Sequence, residues 1–265
     1  MRNWTLTSLS MFVAFAVGCS PPAAEPVVKT IAQEPTPHPE STGEHAKKAP
    51  LEGTRNGKHD SDAGHAAMKL PEKDVLPAMI RVSTGTTEGS GVVIGRGFVL
   101  AYALTAAHVV AGHDKVRVFP LTEIPAKAGF DAIVNKSRTS IAGSDLAVLA
   151  IEDPERRFSK ALEIAKVAER PPFQAFSIGL PGTDKLTIRP ERVRDALRIT
   201  QDKETARFWK CADVAADGRS GGPLVDSDGK VIGICSRSDD TSGYYTHLEE
   251  IKAIVRASGI PVRPK

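Results

Sequence analysis

Three short segments, far apart in the chain, carry side chains that could act on one another. LTAAHVV offers His108, GSDLAVLAI offers Asp145 and DGRSGGPLV offers Ser220. A serine hydroxyl is a weak nucleophile near neutral pH; imidazole, whose pKa lies close to the working pH, suits the base that must take its proton. The imidazole in turn needs a carboxylate that fixes its tautomer and stabilises the imidazolium formed in the reaction. Asp145 opens an apolar run, so it is expected at the edge of a buried strand, where such an orienting group belongs. The glycines around Ser220 have a mechanical reading. Gly218, Arg219 and Ser220 must turn tightly so that the N–H groups of Gly218 and Ser220 converge on an oxygen that becomes negative in a tetrahedral intermediate. Gly221 and Gly222 allow chain and substrate to approach closely, and Pro223 begins the next strand.

Positioning these groups falls to short β-type runs separated by turn residues. AMIRVST, GSGVVIG, GFVLAYAL, KVRVFPL, FDAIVNK and DLAVLAI are candidate strands between Ala78 and Ile151. A second set follows: LEIAKV, FQAFSIG, KLTIRPERV, ALRIT, FWKCADV, PLVDSDGKVIGICSRS and GYYTHL. Two such sets predict an all-β fold of two packed six-stranded barrels, each marginal alone. HLEEIKAIVRASG has Leu248, Ile251, Ile254 and Val255 at helical spacing and Gly259 as its stop, which predicts a C-terminal helix. In GFVLAYALTAAHVV, residues 101–104 (AYAL) read as an insertion ahead of the histidine turn. Four residues preserve the two-residue alternation of a strand, so the insertion is expected to lengthen or bulge the strand and leave His108 in register.

The motifs TAAH, SDLAVL and GRSGGPL, in that order, resemble the chymotrypsin-type (trypsin-like) serine proteases, and within them the bacterial HtrA/Deg-like branch. The resemblance implies an exported endopeptidase that acts through an acyl-enzyme. His108 would be its general base, Asp145 the orienter, Ser220 the nucleophile, and Gly218 with Ser220 the oxyanion hole. It further places Ser236, in ICSRS, on the strand that binds substrate backbone, near the aspartate. Val214, six residues before the nucleophile, falls at the base of the primary pocket, where no carboxylate waits for a basic side chain. Arg237 is either a contact for acidic substrate groups or an ordinary surface arginine, and His247 raises a glutamate-preferring pocket as a further option. Arg219 stands where the pancreatic-type enzymes have the aspartate that pairs with a newly cut N-terminus, so that zymogen switch is not expected. Nor is a PDZ domain after Lys265. A non-catalytic, chaperone-like binding module on the same fold is the alternative.

The 265 residues are 41% hydrophobic and 25% charged, enough for one real core, and a net charge of +3 gives no basic stripe that would suggest nucleic acid. Residues 1–19, MRNWTLTSLSMFVAFAVGC, read as an export signal whose end, FAVGC, resembles a bacterial lipobox; Cys19 would become the lipidated first residue of a membrane-anchored chain. Residues 20–74 are poor in long apolar runs and read as a flexible linker, leaving the protease domain at 75–265. The tail histidines His38, His45, His59 and His65 are assigned no metal, and no cofactor is called for. The expected partners are protein or peptide substrates and, through Cys19, a membrane. Cys211 and Cys235 are open to either a disulfide or two buried thiols.

Overall fold

The computed structural model describes residues 70–122, 129–182 and 185–261; the export signal, Cys19, the tail histidines and all but the end of the linker lie outside the described residues. After a short helix α1 (Glu72–Val75), which crosses the expected linker boundary, six strands follow. They are β1 (Met79–Ser83), β2 (Glu88–Arg96), β3 (Leu100–Ala106), β4 (Lys115–Pro120), β5 (Phe130–Val134) and β6 (Leu146–Glu152). They close into a barrel in the order β1-β2-β3-β6-β5-β4. β4 shows the driving pattern plainly, with Val116, Val118 and Pro120 buried and Lys115 and Arg117 exposed.

The second barrel, β7-β8-β9-β12-β11-β10, consists of β7 (Phe173–Gly179), β8 (Thr187–Gln201), β9 (Glu204–Cys211), β10 (Pro223–Val225), β11 (Val231–Ser238) and β12 (Gly243–His247). KLTIRPERV and ALRIT are not two strands but one. β8 pairs with β7 through Val193 and with β9 from Val193 onward, and its register shifts between Val193 and Asp195. Such a bulge bends one strand so that it serves two neighbours at a barrel corner. LEIAKV is no strand at all. Leu162 N donates to Val93 O in the first barrel while Ala165 N and Glu163 O bond Val231 in the second, so this segment spends its backbone on both barrels as a bridge. The helix α2 (Leu248–Ala257) ends the fold as expected, and Gly259 adopts φ +62° past its end.

Residues 101–104 lie within β3. Leu100 to Ala106 pair without interruption with β6, and the bulge sits opposite, in β2 between Val93 and Gly95. The cysteines lie on opposite sides of β12: Cys235 pairs with Tyr245 and Cys211 with Gly243. Two strand spacings separate their backbones by roughly 9–10 Å, beyond the ~7 Å a disulfide spans. Both are free and buried, and burial pushes the Cys235 thiol up to about 12.

Candidate active site

β3 and β6 run antiparallel, with Ala106 opposite Leu146, so the end of one strand meets the start of the other. This pairing brings His108, on a 3-10 turn directly after β3, to Asp145, directly before β6. Ala107 N donates to Asp145 O at 3.0 Å and His108 N to Asp145 Oδ1 at 3.0 Å, tying the two turns together. The imidazole Nδ1 lies 2.8 Å from Asp145 Oδ2. A carboxylate only accepts, so Nδ1 carries a hydrogen, and in the neutral ring Nε2 then keeps its lone pair. Asp145 is buried and holds φ +50°, a left-handed conformation that Asp tolerates better than most residues. The His108 side chain is 39% exposed and open to an incoming group.

Ser236, on β11, donates from Oγ to the same Asp145 Oδ2 at 2.6 Å. Ser220 comes from the loop between β9 and β10, so the site straddles both barrels. Gly218 and Ser220 donate their N–H groups to nothing among the described residues. Their orientation is nonetheless fixed from behind. Asp217 O accepts from Gly182 N at 3.1 Å and Arg219 O from Gly222 N at 2.8 Å. In a trans peptide the N–H points opposite to the C=O, so each free N–H is turned away from a tethered carbonyl. Gly218 sits at φ +84°, and a Cβ there would come 2.2 Å from Leu180 O, so only glycine fits. Among the described residues no hydrogen bond reaches the Ser220 hydroxyl, from His108 or from any other group.

Arg219 turns inward. Its guanidinium donates to Ser177 Oγ at 2.7 Å and to Thr187 Oγ1 at 2.5 Å inside the second barrel, and Tyr245 Oη donates to the same Ser177 Oγ at 2.7 Å. Burial lowers its pKa. Val214 is 42% exposed, and its carbonyl accepts from Arg189 Nη1 at 3.2 Å. Arg189 pairs with Glu191, whose buried Oε2 has no partner among the described residues; burial raises its pKa against the pull of Arg189. Sequence reasoning missed this pair. Its signal was two opposite charges at i and i+2, on one face of a strand otherwise expected to be half apolar.

A pocket of about 340 Å³ lies against the His–Asp pair, lined by His108, Ile141, Asp145, Gln201, Ser236 and Arg237. Arg237 Nη1 donates to Gln201 Oε1 at 2.7 Å and its guanidinium stacks 5.1 Å from the Phe208 ring. No carboxylate pairs with it among the described residues. His247 is not part of this pocket. It is buried, caps α2 by accepting from Glu249 N at 3.1 Å, and lies 4.0 Å from the Trp209 ring, so the glutamate-pocket option falls away.

The family profile of the trypsin-like peptidase domain matches residues 89–234, more than half of the chain. The chain belongs to the trypsin-like peptidase family. The peptidase match takes in His108, Asp145 and Ser220 and stops just short of Ser236. Serine protease Rv3671c of Mycobacterium tuberculosis (strain H37Rv) is 31% identical over 172 residues, which are 60% of this chain and 39% of that protein. A probable periplasmic serine endoprotease, DegP-like, of Hahella chejuensis is 31% identical over 190 residues, 65% of this chain and 37% of its own. The chain thus spans well under half the length of these relatives. Among solved structures, the inactive form of Rv3671c protease aligns with a TM-score of 0.59 at 25% identity, covering 71% of this chain and 92% of that one.

Proposed function

We propose that this peptidase domain is an exported serine endopeptidase that cleaves protein or peptide bonds through an acyl-enzyme. His108 Nε2 takes the Ser220 proton as Oγ attacks the carbonyl carbon. The N–H groups of Gly218 and Ser220 receive the oxyanion, and protonated His108 then gives its proton to the leaving amine. Water attacks the resulting ester by the same base, releasing the acid and restoring Ser220. The observation that carries this reading is the pair of unused N–H groups beside a histidine whose tautomer a buried aspartate fixes. Val214 would meet the side chain at the cleavage site and favour small or aliphatic groups. Ser236 would hold substrate backbone, and Arg237 would attract an acidic side chain into the adjoining pocket. Residues 1–19 would direct export, with Cys19 as the lipid anchor of a tethered domain at 75–265; the periplasmic naming of the DegP-like relative supports the compartment.

The missing Ser220–His108 bond is the observation that favours a non-catalytic binding module. Catalytic hydrogen bonds are commonly long before substrate arrives and tighten in the complex, which is why the enzyme reading is preferred. A fluorophosphonate probe separates the two: Ser220 becomes labelled at neutral pH in the enzyme and stays unlabelled in the folded binding module, with Ser220→Ala as blank. For the anchor, Cys19→Ala moves the chain from the membrane to the soluble fraction.

A further inference from the structure

The nucleophile loop belongs to the second barrel but is gripped by one residue of the first, and we propose that Ser90 is a positioning residue for the oxyanion hole. The inference rests on the catalytic reading of Ser220 above. Ser90 lies in β2, wholly buried, and directs all its polar groups to this junction. Its N–H donates to Ser220 O at 2.8 Å. Its hydroxyl donates to Gly218 O at 2.8 Å and accepts from Leu180 N at 3.0 Å. Its carbonyl accepts from Thr105 Oγ1 at 2.8 Å, on the strand that leads to His108.

The geometry of successive peptides gives this grip its consequence. The Ser220 N–H belongs to the 219–220 peptide. Ser90 holds the peptide before it through Gly218 O and the peptide after it through Ser220 O. With both neighbours fixed, the planar 219–220 unit can turn only by opposed changes of ψ at Arg219 and φ at Ser220, and Gly222 N, bonded to its Arg219 O at 2.8 Å, resists that turn. The same hydroxyl also holds Leu180, in the segment whose Gly182 N tethers Asp217 O and so aims the Gly218 N–H. One hydroxyl thereby couples the peptides that carry both donors. The fit around it is tight: a Cβ on Gly221 would come 2.1 Å from Ser90 O, and one on Gly179 would come 3.3 Å from Ser90 Oγ. Ser90→Ala leaves Gly218 O and Leu180 N without this partner, and the 218–219 peptide is free to turn.

The test measures phosphonylation of Ser220 by a fluorophosphonate over a range of concentrations, separating the maximal rate from the half-saturating concentration. Attack on phosphorus places negative charge on an oxygen that the same two N–H groups receive. Loss of a direct donor costs roughly 10²–10³ in rate, so an indirect loss in Ser90→Ala is expected to cost roughly tenfold or more in the maximal rate. The half-saturating concentration and the pH midpoint stay those of the parent, since neither binding nor His108 is touched. Ser90→Cys, of similar shape and a weaker donor, falls between the two. A maximal rate for Ser90→Ala within about twofold of the parent, a loss confined to half-saturation, or Ser90→Cys as slow as Ser90→Ala overturns the proposal. If Ser90→Ala does not fold, Ser90→Cys against the parent decides, and an unchanged maximal rate overturns it. A parent protein that is folded yet unlabelled overturns the catalytic reading and this proposal with it, a result distinct from equal labelling of parent and variant.

Discussion

Asp145 Oδ2 accepts from both His108 Nδ1 and Ser236 Oγ, while Oδ1 takes the His108 backbone N–H. A carboxylate held from two elements cannot swing, and neither can the imidazole it orients. Hydrogen bonds to a charged partner contribute about 1.5–3 kcal/mol, so Ser236→Ala is expected to lower stability by about that much and to slow the labelling of Ser220. Chemical denaturation alongside labelling rates checks both; an unchanged rate would remove Ser236 from the orienting role. A second residue-scale effect concerns His247. Burial, helped by Arg207, lowers its pKa from 6.5 to about 4, so it is neutral in the fold. Between those values the unfolded chain binds a proton that the folded chain does not. The stability it contributes is therefore whole above pH 6.5 and is lost as the pH falls toward 4. His247→Asn keeps an acceptor for Glu249 N but cannot titrate, and thermal midpoints of the variant are expected to fall less steeply with acid than those of the parent.

At the scale of elements, the turn from Gly218 to Gly222 is pressed against the first barrel. Gly221 holds φ +85°, and a Cβ there would lie 2.1 Å from Ser90 O and 2.2 Å from Thr105 Oγ1, both in the first barrel. Gly221→Ala is expected to abolish labelling and to destabilise by more than the ~1 kcal/mol of an ordinary glycine-to-alanine strain, because the barrels must part to admit the methyl. A variant that folds and labels like the parent would mean the interface yields more easily than these distances allow. This turn was readable in sequence because its requirement for glycine is local; so was the strand that leads to His108, whose residues 100–106 pair with β6 without a register shift. What escaped was set through space. Nothing in EGSGVV marks Ser90 as the partner of a loop 128 positions away, and the alternating LEIAKV looked like a strand although its hydrogen bonds go to two barrels.

The whole molecule is divided by its chemistry but not by its core. His108 and Asp145 belong to the first barrel, and Ser220, Gly218 and Ser236 to the second, so the proposed chemistry requires the two to be docked. The larger apolar cluster runs across that division: Val92, Leu104 and Leu149 of the first barrel share it with Ile178, Val225, Val231 and Ile234 of the second and with Ile251 and Val255 of α2. The smaller cluster, around Trp209, draws on the second barrel, α2 and Ala165 of the bridging segment. Neither barrel keeps its apolar surface covered without the other, and burial is worth about 25 cal/mol per Å², so parting them exposes too much for a half-folded state to persist. Trp209 reports on the second barrel, its Nε1 donating to Ile232 O at 2.8 Å and its ring packed edge-on to Phe173. In a denaturant titration, loss of Ser220 labelling and the change in Trp209 fluorescence are expected at one midpoint. Labelling lost well before the fluorescence changes would mean that the barrels separate while the second remains folded, and that the shared cluster is a weaker join than its composition implies.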